Sequence, residues 1–181
     1  QFTSTDGELY CVDDTHVHAL AKANGALRTI PSTATVMQVL GLARNLIVLR
    51  SGGGLESIAE GTNTIVGTLS TPLHAWPQLE RRGDVVCGAT SVPKGVFAGC
   101  WDATLAPRWS KVFVLTKPGE PVTPFVPREF EREYLVAGTW MSTTSVNRAV
   151  VVRLSDGHEM TRVEENVAAT VSGGGLDGLV S

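Results

Sequence analysis

Apolar and polar residues alternate along most of this chain in short runs, and each run closes on glycine or proline chemistry. The clearest stretch runs from Glu133 to Gly175, where two runs rich in Val and Leu flank Asp156-Gly157. Asp-Gly is a strong hairpin signal because a two-residue type I′ turn needs positive φ at both central positions. Such a turn predicts a register in which Leu154 faces Glu159, Val152 faces Thr161, Val150 faces Val163 and Arg148 faces Glu165. With Tyr134–Met141 upstream, three consecutive strands read as a meander.

Upstream, ELYCVD after Gly7, NLIVLR before Ser51-Gly52-Gly53-Gly54, TNTIVGTLS before Thr71-Pro72, DVVCGATS before Val92-Pro93, GVFAGCW, and KVFVLTK before Pro118-Gly119 all read as strands. Two windows carry a different period. Ser32-Thr33 followed by ATVMQVLGLAR places Val36, Val39, Leu40 and Ala43 at spacings of three and four, which predicts a helix. The run from Asp14 to Gly25 reads either as a helix capped by Asp14 or as a continuing strand. Leu73 to Arg82 predicts a short helix or loop. Pro127 suits the first position of a one-turn helix through Arg132. No internal repeat is visible.

The resulting expectation is one mainly-β domain over 1–181, an antiparallel sandwich, barrel or jelly roll with one or two short helices. Residues 172–181 are expected to form a flexible Gly-rich tail. The alternative is α/β, because the first third also reads as β-α-β.

Composition narrows the function. Hydrophobic residues are 43% and charged residues 18%, which favours a packed body over a solvated chain. The net charge of −3 and the absence of any basic cluster larger than Arg81-Arg82 argue against direct nucleic-acid binding. No apolar run reaches the ~20 residues that span a bilayer, so no membrane insertion is expected and the domain reads as soluble. The opening residues QFTSTDGELYCVDD lack the basic and apolar regions of a signal peptide. Cys11, Cys87 and Cys100 are three and far apart, which predicts ordinary buried or half-buried thiols and no zinc site.

Several strings carry candidate chemistry. His16 and His18 share one face if they lie on a strand, and this resembles the His-x-His of cupin-type barrels, which implies a metal. That motif also requires a nearby Glu, and ALAKANG follows His18 instead. In length and strand content the chain resembles chymotrypsin-like viral proteases, whose nucleophile sits in Gly-x-Ser/Cys-Gly. The nearest strings are Ser51-Gly52-Gly53, Ser172-Gly173-Gly174 and Gly99-Cys100-Trp101, with His16 and Asp84 as base and orienter, and none matches the pattern. Pro31 to Gly54 resembles the opening of the flavin-binding domain of FAD-linked oxidases, which implies helix, strand and a Gly-rich pyrophosphate loop. Trp140 alternates with Tyr134, Val136 and Gly138 and is expected to face a core, while Trp76 sits in a loop suited to contact or to covering a barrel end.

The expected role is therefore non-enzymatic: a structural or surface-binding β-domain, such as a coat or projecting domain of a viral capsid, found in a virion. It has no catalytic, cofactor or metal residues, and its partners are copies of itself or other protein subunits. The alternative is an enzyme, either a chymotrypsin-like protease or a flavin- or metal-dependent β-barrel enzyme.

Overall fold

Short strands whose side chains alternate between two buried faces need a covering layer on each side, and this chain supplies them by repetition. The structure is a computed structural model that describes residues 1–13, 16–31, 34–72, 78–117, 128–141 and 146–166. Among the described residues, sixteen strands form four separate four-stranded antiparallel sheets, each a simple meander. Sheet I contains β1 (Phe2–Ser4), β2 (Glu8–Val12), β3 (Val17–Ala21) and β4 (Leu27–Ile30). Sheet II contains β5 (Val36–Leu42), β6 (Asn45–Arg50), β7 (Gly54–Ala59) and β8 (Ile65–Ser70). Sheet III contains β9 (Gln78–Arg82), β10 (Val85–Val92), β11 (Gly95–Trp101) and β12 (Pro107–Val114). Sheet IV contains β13 (Arg128–Glu131), β14 (Tyr134–Met141), β15 (Val146–Arg153) and β16 (Glu159–Asn166).

The sheets stack face to face around their first strands, β1 against β5 and β5 against β9. Glutamine amides stitch these inner strands together. Gln1 Nε2 donates to Val39 O and Val39 N–H donates to Gln1 Oε1 at 3.3 and 3.2 Å, and Gln38 brackets Leu79 in the same way at 2.8 and 3.0 Å. Gly41 permits this approach, since a Cβ there would sit 1.8 Å from Ser4 O. Three apolar cores fill the spaces between neighbours. Tyr10, Val17, Ala19 and Ile30 meet Val39, Leu46, Val48 and Ile58 between sheets I and II. Ile47, Leu49 and Leu55 meet Leu79, Val86 and Trp101 between II and III. Cys87, Ala98, Trp109 and Phe113 meet Leu135, Ala137, Val150 and Val152 between III and IV. No described core joins sheet IV to sheet I, so the stack is an open arc.

This overturns the sandwich, barrel or jelly roll and the α/β alternative: no two large sheets face each other, and no helix occurs among the described residues. The helix expected after Ser32-Thr33 is strand β5. A register shift between Val36 and Gln38 brings Val36 and Val39 into the same core, and this bulge imitates a helical three-residue spacing. The run after Asp14 is β3, while Asp14 and Thr15 lie outside the described residues. Residues 78–82 and 128–131 are the inner strands β9 and β13, not helical turns. Residues 73–77 and 118–127, including Trp76 and Pro127, and the Gly-rich tail from 172 also lie outside the described residues.

The Asp156-Gly157 turn exists, but only Gly157 has positive φ, at 67°. Gly157 N–H bonds to Arg153 O and Asp156 Oδ1 accepts from His158 N–H, so the connection is five residues long, 154–158. The pairing consequently shifts, with Val152 against Glu159, Val151 against Thr161 and Arg148 against Glu164 in place of Glu165. The repeat missed in the sequence is visible in backbone conformation. Gly25, Gly61, Leu105 and Gly157, in the last hairpin of each sheet, have φ of 69, 73, 67 and 67°. Finally, Cys87 and Cys100 face each other across β10 and β11 and are joined as a disulfide, which leaves Cys11 free and overturns the expectation of three thiols.

Candidate functional site

At the end of the arc where the first and last hairpins of each sheet gather, sheets III and IV part to leave a cleft of about 710 Å³. Its walls come from the β9–β10 turn (Arg82, Asp84), the start of β12 (Arg108), the β13–β14 turn (Arg132, Glu133) and the residues after β15 (Leu154, Ser155), with Cys100 also lining it. The turns are tight because Gly83 and Arg132 both take positive φ, 61° and 46°. Trp109 holds the sheets together beneath: its Nε1 donates to Leu154 O at 2.6 Å, and Gly157 leaves room for its ring.

Three guanidinium groups share this cleft. Arg82 is anchored, donating to Phe130 O at 2.8 Å and pairing with Glu80 at 2.9 Å. Arg108 is more than half exposed and lies 3.6 Å from Asp84, and the highly exposed Arg132 lies 3.6 Å from Glu131. Loose, solvated ion pairs of this kind contribute little to stability, so both side chains can exchange partners at small cost. Nearby, Asp102 is held below the usual carboxylate range by the Thr104 hydroxyl against a modest opposing effect of burial, helped by the Thr104 and Ala106 amides. It fixes the last turn of sheet III.

The candidates read from the sequence do not assemble. His16 and His18 stack at 6.2 Å and share Asp13, whose Oδ2 lies 3.1 Å from His18 Nε2. No group of three His, Cys, Asp or Glu side chains capable of holding a metal occurs among the described residues. His16 sits in the β2–β3 connection and Asp84 in the β9–β10 turn, at opposite ends of different sheets, so they form no base and orienter. Cys100 is in the disulfide and offers no thiolate. Ser51 to Gly54 is the β6–β7 hairpin. Ser51 N–H is spent on Thr35 O and Gly53 N–H on Arg50 O, so the amides are not gathered around a pyrophosphate and the flavin resemblance fails with its helix. Ser172 and His74 lie outside the described residues, Trp101 and Trp109 are core, and Trp140 lies within β14. The cleft arginines were missed because segments far apart in sequence build the site. Their shared feature, a charged residue beside a tight turn, is common on any surface.

Four-stranded antiparallel meanders stacked face to face around their innermost strands define the β-propeller class of fold, here with four blades, sheets I to IV. Solved structures agree. The chain is similar to BamB from Moraxella catarrhalis (TM-score 0.61, 15% identity, 90% of this chain and 51% of that one). It is similar to the N-terminal domain of Nup159 (TM-score 0.60, 11% identity, 91% and 47%), and to the computationally designed Ika4 protein (TM-score 0.52, 14% identity, 84% and 89%). It spans about half the length of the BamB and Nup159 chains. No family model matches the chain, and no curated protein matches it by sequence. The propeller neighbours conflict with the capsid, virion and jelly-roll reading, and nothing among them points to a viral capsid. No helix long and apolar enough to cross a membrane occurs among the described residues.

Proposed function

We propose that this chain is a non-enzymatic protein-binding module that recognises an acidic segment of a partner at the cleft between blades III and IV. The observation that supports it most is the pair of exposed guanidinium groups, Arg108 and Arg132, held only by loose ion pairs around a cavity of ligand size. Arginine presents a planar fork to carboxylates and is favoured at the energetic centres of interfaces. Loops on a rigid scaffold are where recognition usually resides. Among the propeller neighbours, Nup159 has been solved with Dbp5 bound, which fits a protein-binding use of the fold.

Fluorescence anisotropy with labelled peptides tests the reading. A Glu- and Tyr-containing peptide is expected to bind, weakening with added salt, while its Lys-containing counterpart does not. The double variant Arg108→Glu, Arg132→Glu should weaken binding by at least tenfold. Equal binding of both peptides, or an unaffected double variant, removes the proposal.

A further inference from the structure

On the face of a blade that looks forward to the next, one cross-strand pair of the two middle strands recurs: Tyr10 with Ala19 in blade I, Ile47 with Ser57 in blade II and Cys87 with Cys100 in blade III. Among the described residues, only in blade III is the pair a covalent bond. That bond lies under the arginine cleft. Register puts Glu80, Cys87, Cys100 and Trp109 in one row across the four strands of blade III, and each end of the row holds cleft residues in place. At one end Glu80 pairs with Arg82 at 2.9 Å. At the other, Trp109 follows Arg108 along β12 and donates through Nε1 to Leu154 O at 2.6 Å, while Leu154 N–H donates to the carbonyl of Glu133, beside Arg132, at 2.8 Å. All three guanidinium groups are therefore tied to one row of side chains with the disulfide at its middle.

Cys87 is 0% and Cys100 1% exposed, in a core they share with Trp109 and Leu154. Two thiols cannot stay at bonding distance, and a close-packed core has no spare volume to take up their separation, so reduction displaces the row. Of the two cysteines, Cys100 is the one that lines the cleft. We propose that the Cys87–Cys100 disulfide is a redox control of the cleft between blades III and IV, a control that rests on that cleft being the seat of an acidic segment. The oxidised chain holds the arginines in their binding positions, and a dithiol reductant entering from the cleft releases them. A reductant thiolate attacks Cys100 Sγ, the S–S bond breaks, and Cys87 leaves and takes up a proton. The reductant's second thiolate attacks its own sulfur in the mixed disulfide, and Cys100 leaves as the second thiol. Two electrons and two protons pass to the protein, and the reductant becomes a disulfide. Because the acidic segment binds the oxidised form more tightly, it favours the disulfide over the two thiols by the same factor.

Fluorescence anisotropy with the Glu- and Tyr-containing peptide, on the full chain with and without dithiothreitol, reads this directly. The reduced protein is expected to keep its circular-dichroism spectrum and to bind at least about fivefold more weakly. Cys87→Ala with Cys100→Ala should bind as weakly as the reduced protein and ignore dithiothreitol, while Cys11→Ser, on β2 of blade I, should respond as wild type does. In a mixture of reduced and oxidised dithiothreitol that leaves half of the protein reduced, saturating peptide should move a thiol titration towards the disulfide by the same factor. A bond that only braces the fold gives no such shift. Equal affinity in the two redox states, a Cys87→Ala, Cys100→Ala variant that binds as oxidised wild type does, or a titration that peptide leaves unmoved overturns the control and leaves the acidic-segment reading standing. Collapse of the circular-dichroism spectrum on reduction also overturns it, since the bond is then a brace for blade III. An oxidised wild type that binds no acidic peptide removes that reading and the control together.

Discussion

Glu8 shows how a buried charge is held where two blades meet. Its carboxylate, 6% exposed, accepts from the Tyr10 hydroxyl at 2.6 Å, from Gly61 N–H in blade II at 2.9 Å and from Arg28. Burial alone raises its pKa, but the Gly61 amide, the Tyr10 hydroxyl and the Arg28 guanidinium outweigh it and hold the group below its ordinary value of 4.5. Tyr10 is displaced upwards by burial and by donating to Glu8. Glu60 follows Glu8: burial opposes ionisation, and Thr5, the Gly7 amide and Arg44 more than compensate. Because the folded state holds these protons less tightly than the unfolded chain, stability rises with pH across this window. The contribution is complete above about pH 4.5 and is lost as pH falls through the folded values. Glu8→Gln should therefore cost about 2 kcal/mol at neutral pH, typical of a hydrogen bond to a charged group. In thermal melts from pH 7 down to pH 3, the gap between wild type and variant should close below pH 4.5. A gap independent of pH would remove the role assigned to the ionised carboxylate.

Among the elements, the hairpin β10–β11 carries the only described disulfide, between residues directly opposite in register. It stands at the forward-looking pair position, where blade I has Tyr10–Ala19 and blade II has Ile47–Ser57, so a covalent link replaces a non-covalent pair. Thiol titration should find one reactive group, Cys11, both in the native protein and after unfolding without reductant, and three after reduction. Reduction should lower stability by up to about 3 kcal/mol, as expected for a closed loop of about 15 residues. Three titratable thiols before reduction would refute the link. The same hairpin marks where sequence reading worked. Gly95–Trp101 and Tyr134–Met141 are bounded by turn chemistry and match β11 and β14. Spacing alone did not reveal that Cys87 and Cys100 pair, because that depends on register. The inner strands β1, β9 and β13 were missed for a different reason. They are short, and β9 and β13 are rich in Arg and Glu, so neither displays the apolar alternation that marks a strand. The helix read over β5 was a bulge displaying every third residue, and the cleft arginines carry no local pattern.

At the scale of the whole molecule, the blades form an array in which each is stabilised mainly by its neighbours, as in other repeat architectures. Blades II and III are covered on both faces and blade I on one, so resistance to local opening should be graded along the arc. Native-state hydrogen exchange measures this gradation. Amides of β6, β10 and β11, in the strands lined by Leu46, Val86 and Trp101, should exchange most slowly. Amides of β2 and β3, in the blade whose Leu9 and Leu20 are exposed, should exchange at least tenfold faster. Uniform protection would mean that the four sheets open as a single unit. The repetition that makes the gradation possible lies in which positions are apolar on each face. That periodicity is obscured in the sequence because the connections between blades differ in length while the strands keep their order.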